Sequence, residues 1–98
     1  MEDVAYLDNA ATTAVRPEVR NKMDPFLTDE NFGNPSSSHR FGRAARAAVE
    51  RARKQIASTL GAKSGDVLFT SGGTEADNLA VIGKALASRD AGDRKSVV

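Results

Sequence analysis

Cysteine is absent from all 98 residues. That excludes disulfides and thiolate metal sites, and it gives secretion no support. Long hydrophobic runs are also missing: no apolar stretch approaches the ~20 residues needed to span a bilayer. The N-terminal Met1-Glu2-Asp3 is acidic, unlike a signal peptide. Charge of one sign is lacking, since 14 basic and 13 acidic residues leave a formal net charge of +1. No nucleic acid or anionic membrane is therefore expected as a partner. A soluble cytoplasmic protein is the expectation. Large apolar side chains are scarce: Val, Ile, Leu and Phe total 20 of 98 residues. That is close to the level below which chains tend not to fold, although the low net charge argues against disorder. So short a chain also buries a small share of its surface. One domain, or part of one, is expected.

Val4 to Leu7 is a short apolar run that suits a strand or an extended arm. It leads into Asp8-Asn9-Ala10-Ala11-Thr12-Thr13, small and polar residues that suit a tight loop. Pro17 fits the first turn of a helix, with Glu18 favourable at the positive end of its dipole. Val19, Met23 and Phe26 give that helix one apolar face, and Pro25 stops or kinks it. Thr28 to Ser38 holds Asp, Asn, Gly, Pro and three consecutive serines, which reads as a loop. Phe32 and Phe41 flank its core and favour a structured loop over a linker.

A long helix follows. Ala45, Val49, Ala52, Ile56 and Leu60 share one face, and Arg43, Arg46, Glu50, Arg53 and Lys54 take much of the rest. Gly61 is a natural C-terminal cap. Lys63 to Asp66 reads as a turn. Val67-Leu68-Phe69-Thr70 has the continuous apolar character of a strand buried on both faces of a parallel sheet. Leu79, Ile82 and Leu86 mark another helix up to about Ser88, and Val97-Val98 starts a further apolar run. Strand, glycine turn, helix, strand is a βαβ unit. The predicted fold class is α/β, with an incomplete parallel sheet and helices. A single full strand leaves its polar edges without partners, so a piece of a larger α/β protein, or a truncated reading frame, is expected.

The segment with most chemical content is Thr70-Ser71-Gly72-Gly73-Thr74-Glu75-Ala76-Asp77-Asn78. Its glycines allow a tight turn and close approach of a ligand. The first N–H groups of the following helix lack internal partners and sit at the positive end of its dipole. A phosphate there gains several hydrogen bonds at once, with the Thr74 hydroxyl as a further donor. Simple capping is the alternative, with Thr74 as N-cap and Asp77 in the place of the capping-box acid. The segment lacks the Gly-Lys-Ser/Thr ending of nucleotide hydrolases and the Gly-x-Gly-x-x-Gly dinucleotide fingerprint.

Three stretches together resemble successive signatures of cysteine desulfurases: Tyr6 to Thr13, Phe32 to Gly42 and Phe69 to Asn78. These enzymes belong to the class V aminotransferase family, of the aspartate-aminotransferase fold (fold type I). The resemblance runs from about Val4 to the last residue, and its specificity lies in the order and spacing of the three. It implies an N-terminal arm, helix and loop over residues 1–35, and the start of the cofactor-binding large domain over 36–98. It implies pyridoxal 5'-phosphate as cofactor, with Gly73 and Thr74 binding its phosphate. The Asp8 to Thr13 loop resembles the segment that closes over the substrate, which makes Asn9, Ala10 and Ala11 substrate-side candidates. A plain turn, with Asp8 and Thr12 bonding local backbone, is the alternative there.

His39 is the only histidine. Histidine titrates near neutrality, which invites a catalytic reading. In the resembled family, however, the histidine that stacks on the cofactor lies further along the chain, after the run that starts at Val97. A structural or subunit-contact role is expected for His39. The chemistry also needs a Schiff-base lysine. Lys22, Lys54, Lys63, Lys84 and Lys95 all fall at helix-face or turn positions outside any Ser-His-Lys segment. A persulfide cysteine is absent, so no catalytic residue is assigned within the chain.

The implied function is the N-terminal part of an enzyme that converts L-cysteine to L-alanine. It passes sulfur as a persulfide to an acceptor protein, for iron–sulfur cluster or thiolated-nucleoside assembly, as a homodimer. The alternatives are a selenocysteine lyase, an aminotransferase or a kynureninase-like relative, a non-catalytic binding fragment, or a gene product without function.

Overall fold

A computed structural model of the chain describes residues 3–92. Among these residues three α-helices form: α1 over Pro17–Met23, α2 over Arg40–Leu60 and α3 over Gly73–Asp90. Single 3-10 turns occupy Asp24–Phe26 and Ser64–Asp66. The chain divides into two compact units, Met1–Ala52 and Arg53–Val98.

In the first unit, α1 begins at Pro17, where a missing N–H costs nothing. It tightens into the 3-10 turn at Asp24, one residue before Pro25. The loop that follows is structured by its own backbone and by α2. Asn31 N–H donates to the Pro25 carbonyl at 2.9 Å, and Ser37 N–H to the Asn34 carbonyl at 3.0 Å. The Asn34 side chain accepts from Ser36 N–H at 2.9 Å, an Asx turn. From α2, Arg46 donates to the Pro35 carbonyl at 2.9 Å and Arg43 to the Ser38 carbonyl. Phe32 and Phe41 stack with centroids 5.7 Å apart, closing the loop as expected from their places in the sequence.

The start of α2 is set by His39. Its carbonyl accepts the first helical bond, from Arg43 N–H at 2.9 Å. Its ring Nδ1 accepts from Gly42 N–H at 3.3 Å, satisfying a donor the helix cannot. The ring also meets Phe41 edge-on, with centroids 5.9 Å apart. These contacts make His39 a capping residue.

The end of α2 meets expectation. Gly61 has φ +67, the left-handed value that favours glycine. Ala62 N–H bonds back to the Ala57 carbonyl at 2.9 Å and Gly61 N–H to the Ser58 carbonyl at 3.3 Å. Together these form a Schellman cap. Along the helix Ala45 is buried and Val49 and Ala52 are half-buried. Ala57 is buried in place of the expected Ile56 and Leu60, which stay exposed.

In the second unit, Lys63 to Asp66 forms the expected turn, closed by Asp66 N–H to the Lys63 carbonyl at 2.9 Å. Val67 is extended, with φ −98 and ψ 121. Among the described residues, however, no strand forms, because Val67 to Thr70 has no neighbouring strand to complete a ladder. The same holds for Val4 to Leu7, which forms no strand either. Val97 and Val98 lie outside the described residues. Leu79, Ile82 and Leu86 of α3 remain exposed as an apolar stripe. No helix among the described residues is long and apolar enough to cross a membrane.

Candidate functional site

The Gly72-Gly73 turn delivers the chain into α3. Gly72 is the residue before the helix, with φ 170, an extended value open to any residue. Glycine is therefore not demanded here by backbone conformation. A Cβ added to Gly72 or Gly73 would meet nothing within 4 Å, so the space beside the turn is open to a ligand.

The first bond of the helix runs from Ala76 N–H to the Gly72 carbonyl at 3.1 Å. The N–H groups of Gly73, Thr74 and Glu75 come before it and have no helical acceptor. The Thr74 hydroxyl makes no hydrogen bond among the described residues, and no side chain caps the helix. This corrects the capping alternative: Thr74 is the second residue of α3, not its cap. The acid that folds back is Glu75, not Asp77. Its Oε2 accepts from Ser71 Oγ at 2.5 Å and from Ser71 N–H at 3.4 Å. On the other side of the turn, Thr70 Oγ1 donates to the Gly72 carbonyl at 3.0 Å. The result is a pinned turn with unspent donors at Gly73 and Thr74. Such a donor set suits an anion with several acceptor oxygens.

The Ser71 hydroxyl, and after it the Ser71 N–H, hold the Glu75 carboxyl below the ordinary carboxylate range. A depressed folded-state pKa adds stability above the unfolded-state pKa, and that contribution fades as pH falls through the folded value. Ser71→Ala removes the larger cause. The Glu75 titration midpoint, followed by carboxyl carbon resonance, is expected to rise towards the ordinary range. A midpoint that stays put in the variant would exclude Ser71 as the cause.

The substrate-side candidates lie in the first unit. Asn9, Ala10 and Ala11 form a turn in which Ala11 N–H donates to the Asp8 carbonyl at 3.1 Å. Tyr6 clasps this turn: its hydroxyl lies 2.9 Å from the Asp8 carbonyl and 3.1 Å from that of Thr12. The clasp escaped the sequence reading, which placed Tyr6 in an apolar run and at the head of the Tyr6 to Thr13 stretch but gave its hydroxyl no role. Asn9 lines an open hollow of about 520 Å³ with Val4, Tyr6, Thr12, Thr13 and Ala14. Gly73 and Thr74 belong to the other unit. No group of three or more His, Cys, Asp or Glu that could hold a metal occurs among the described residues.

The family model for Aminotransferase class-V matches residues 5–97. Cysteine desulfurase IscS of Dictyoglomus turgidum is 56% identical over 87 residues, covering 89% of this chain and 22% of that protein. Cysteine desulfurase IscS of Methanosarcina thermophila is 53% identical over 87 residues, covering 89% of this chain and 21% of its own length. Putative cysteine desulfurase IscS 1 of Bacillus subtilis is 53% identical over 87 residues, covering 89% and 23%. The chain thus spans about a fifth of the length of the curated relatives it matches. No solved structure matches it.

Proposed function

This chain belongs to the aminotransferase class-V family, and we propose that it serves as the N-terminal part of a pyridoxal-phosphate-dependent cysteine desulfurase. The observation that carries the reading is the pinned turn at Ser71 to Thr74, with N–H groups and a threonine hydroxyl left for an anion. It coincides with a family match over nearly the whole chain and with desulfurase relatives more than half identical.

In this reading Gly73 and Thr74 hold the cofactor phosphate through their N–H groups and the Thr74 hydroxyl. The open space at Gly72 and Gly73 fits close approach of that phosphate. Pyridoxal phosphate, when bound, supplies the electron sink that allows the carbon–sulfur bond of L-cysteine to break. The turn at Asn9 to Ala11, held by Tyr6, offers small side chains and backbone to the substrate side. In this reading both segments bind and orient.

Residues 1–35 act as arm, helix and loop, and 36–98 begin the large domain. There Val67 to Thr70 takes its place as a strand of a parallel sheet once neighbouring strands are supplied. The complete enzyme is a cytoplasmic homodimer, with the Asn34 to Gly42 loop near the subunit boundary. It passes sulfur to an acceptor protein for iron–sulfur cluster or thiolated-nucleoside assembly.

Thr74→Ala in the complete enzyme tests the site. Loss of a hydrogen bond to a charged group costs roughly 1.5–3 kcal/mol, which is about tenfold or more in cofactor affinity. Because the Thr74 side chain caps nothing, that loss reports on the ligand and not on the helix. Cofactor titration by absorbance gives the answer. An affinity unchanged within error removes Thr74 from the site.

A further inference from the structure

Arg53, in the second half of α2, reaches the segment that feeds the glycine turn. Its Nη1 donates to the Val67 carbonyl at 2.5 Å. Its guanidinium carbon stands 4.9 Å from the centroid of the Phe69 ring. Val67 is extended and half-buried, whereas Leu68 and Phe69 are 67% and 44% exposed. Arginine can make both contacts together, because its flat face stacks on a ring while its N–H edge donates in the plane.

From Phe69 the connections continue into the site. Thr70, the next residue, donates from its hydroxyl to the Gly72 carbonyl at 3.0 Å. That carbonyl also accepts the first bond of α3, from Ala76 N–H. Through these bonds and the short chain between them, Arg53 is tied to the turn that carries the Gly73 and Thr74 N–H groups.

We infer that Arg53 is a positioning residue for the cofactor-phosphate turn: by fixing Val67 and Phe69 against α2, it aims the N–H groups of Gly73 and Thr74. The inference rests on the reading of those two residues as phosphate ligands. The competing account is that Arg53 only fastens α2 to the segment and adds general stability.

Two ligands separate the accounts: pyridoxal phosphate, and pyridoxal, which lacks the phosphate. In the complete enzyme, Arg53→Met is expected to weaken pyridoxal phosphate binding about tenfold, the scale of one charge-assisted contact. Binding of pyridoxal should be essentially unchanged. Arg53→Lys should fall between, since lysine keeps a cation for the ring but loses the planar fork. Equal weakening for both ligands would overturn the inference in favour of general stability, and so would no weakening for either. If Arg53→Met does not fold, Arg53→Lys and Phe69→Leu carry the same comparison. Thr74→Ala is measured alongside with both ligands. If it fails to change the ratio of the two affinities, the phosphate reading itself falls. If it changes the ratio while the Arg53 variants do not, only the role of Arg53 falls.

Discussion

The 98-residue chain, given pyridoxal phosphate, L-cysteine and a thiol reductant, is expected to release sulfide no faster than free cofactor does. Two chemical roles are unfilled. A Schiff-base lysine is needed, and a cysteine must accept the sulfur. The chain has no cysteine at all. Its lysines are placed for solvent: Lys22 lies in α1, Lys54 in α2 and Lys84 in α3, and Lys63 precedes a 3-10 turn. Lys95 lies outside the described residues. Lys84 shares a helix with Thr74, yet the rise along that helix alone separates them by ~15 Å. Such a chain can at most hold cofactor, and free pyridoxal phosphate is the proper baseline. Sulfide release well above that baseline, retained after further purification, would mean that a residue with no assigned chemistry performs it. The desulfurase reading would then need a different site.

Helix boundaries were legible in the sequence because their causes are local. Pro17 and Gly61 act through their own backbone torsions, and both mark helix ends where they stand. Pro25 acts through its missing N–H, and α1 gives way to a 3-10 turn one residue before it. The start of α3 was harder. Ser71, Gly72, Gly73 and Thr74 all suit the end of a helix, and the choice is settled by a side chain further on. Glu75 folds back to Ser71 and leaves Thr74 inside the first turn.

His39 was hidden for a different reason. Histidine is not among the usual N-caps, and only the geometry shows its ring taking the Gly42 N–H. The tie from Arg53 to Val67 and Phe69 joins residues fourteen or more apart, and no periodicity encodes it. The strand at Val67 to Thr70 was legible as an apolar run, but a strand is a property of a pair. Which residues of α2 are buried also depends on what lies against it. That is why the expected stripe holds at Ala45 but gives way to Ala57 where Ile56 and Leu60 were expected.

Gly42→Ala is expected to be among the most damaging small substitutions in the chain. A Cβ at this position would stand 2.2 Å from the Ser37 carbonyl oxygen and 2.7 Å from that of Asn34. Both obstacles are backbone, so no rotamer change relieves them. The Asn34 to Ser38 turn would have to lift off the first turn of α2. With it would go the bond from Arg46 to Pro35 and the stacking of Phe32 on Phe41. Gly33→Ala meets the same crossing from the other side, 2.1 Å from the Phe41 carbonyl oxygen. We expect either change to cost about 3 kcal/mol, the upper end for overpacking. Thermal denaturation of the complete enzyme is expected to place Gly42→Ala and Gly33→Ala well below the parent. Amide resonances of residues 32–43 should shift in both variants. A Gly42→Ala protein that melts with the parent would show that the loop does not cross α2 this closely in the folded enzyme.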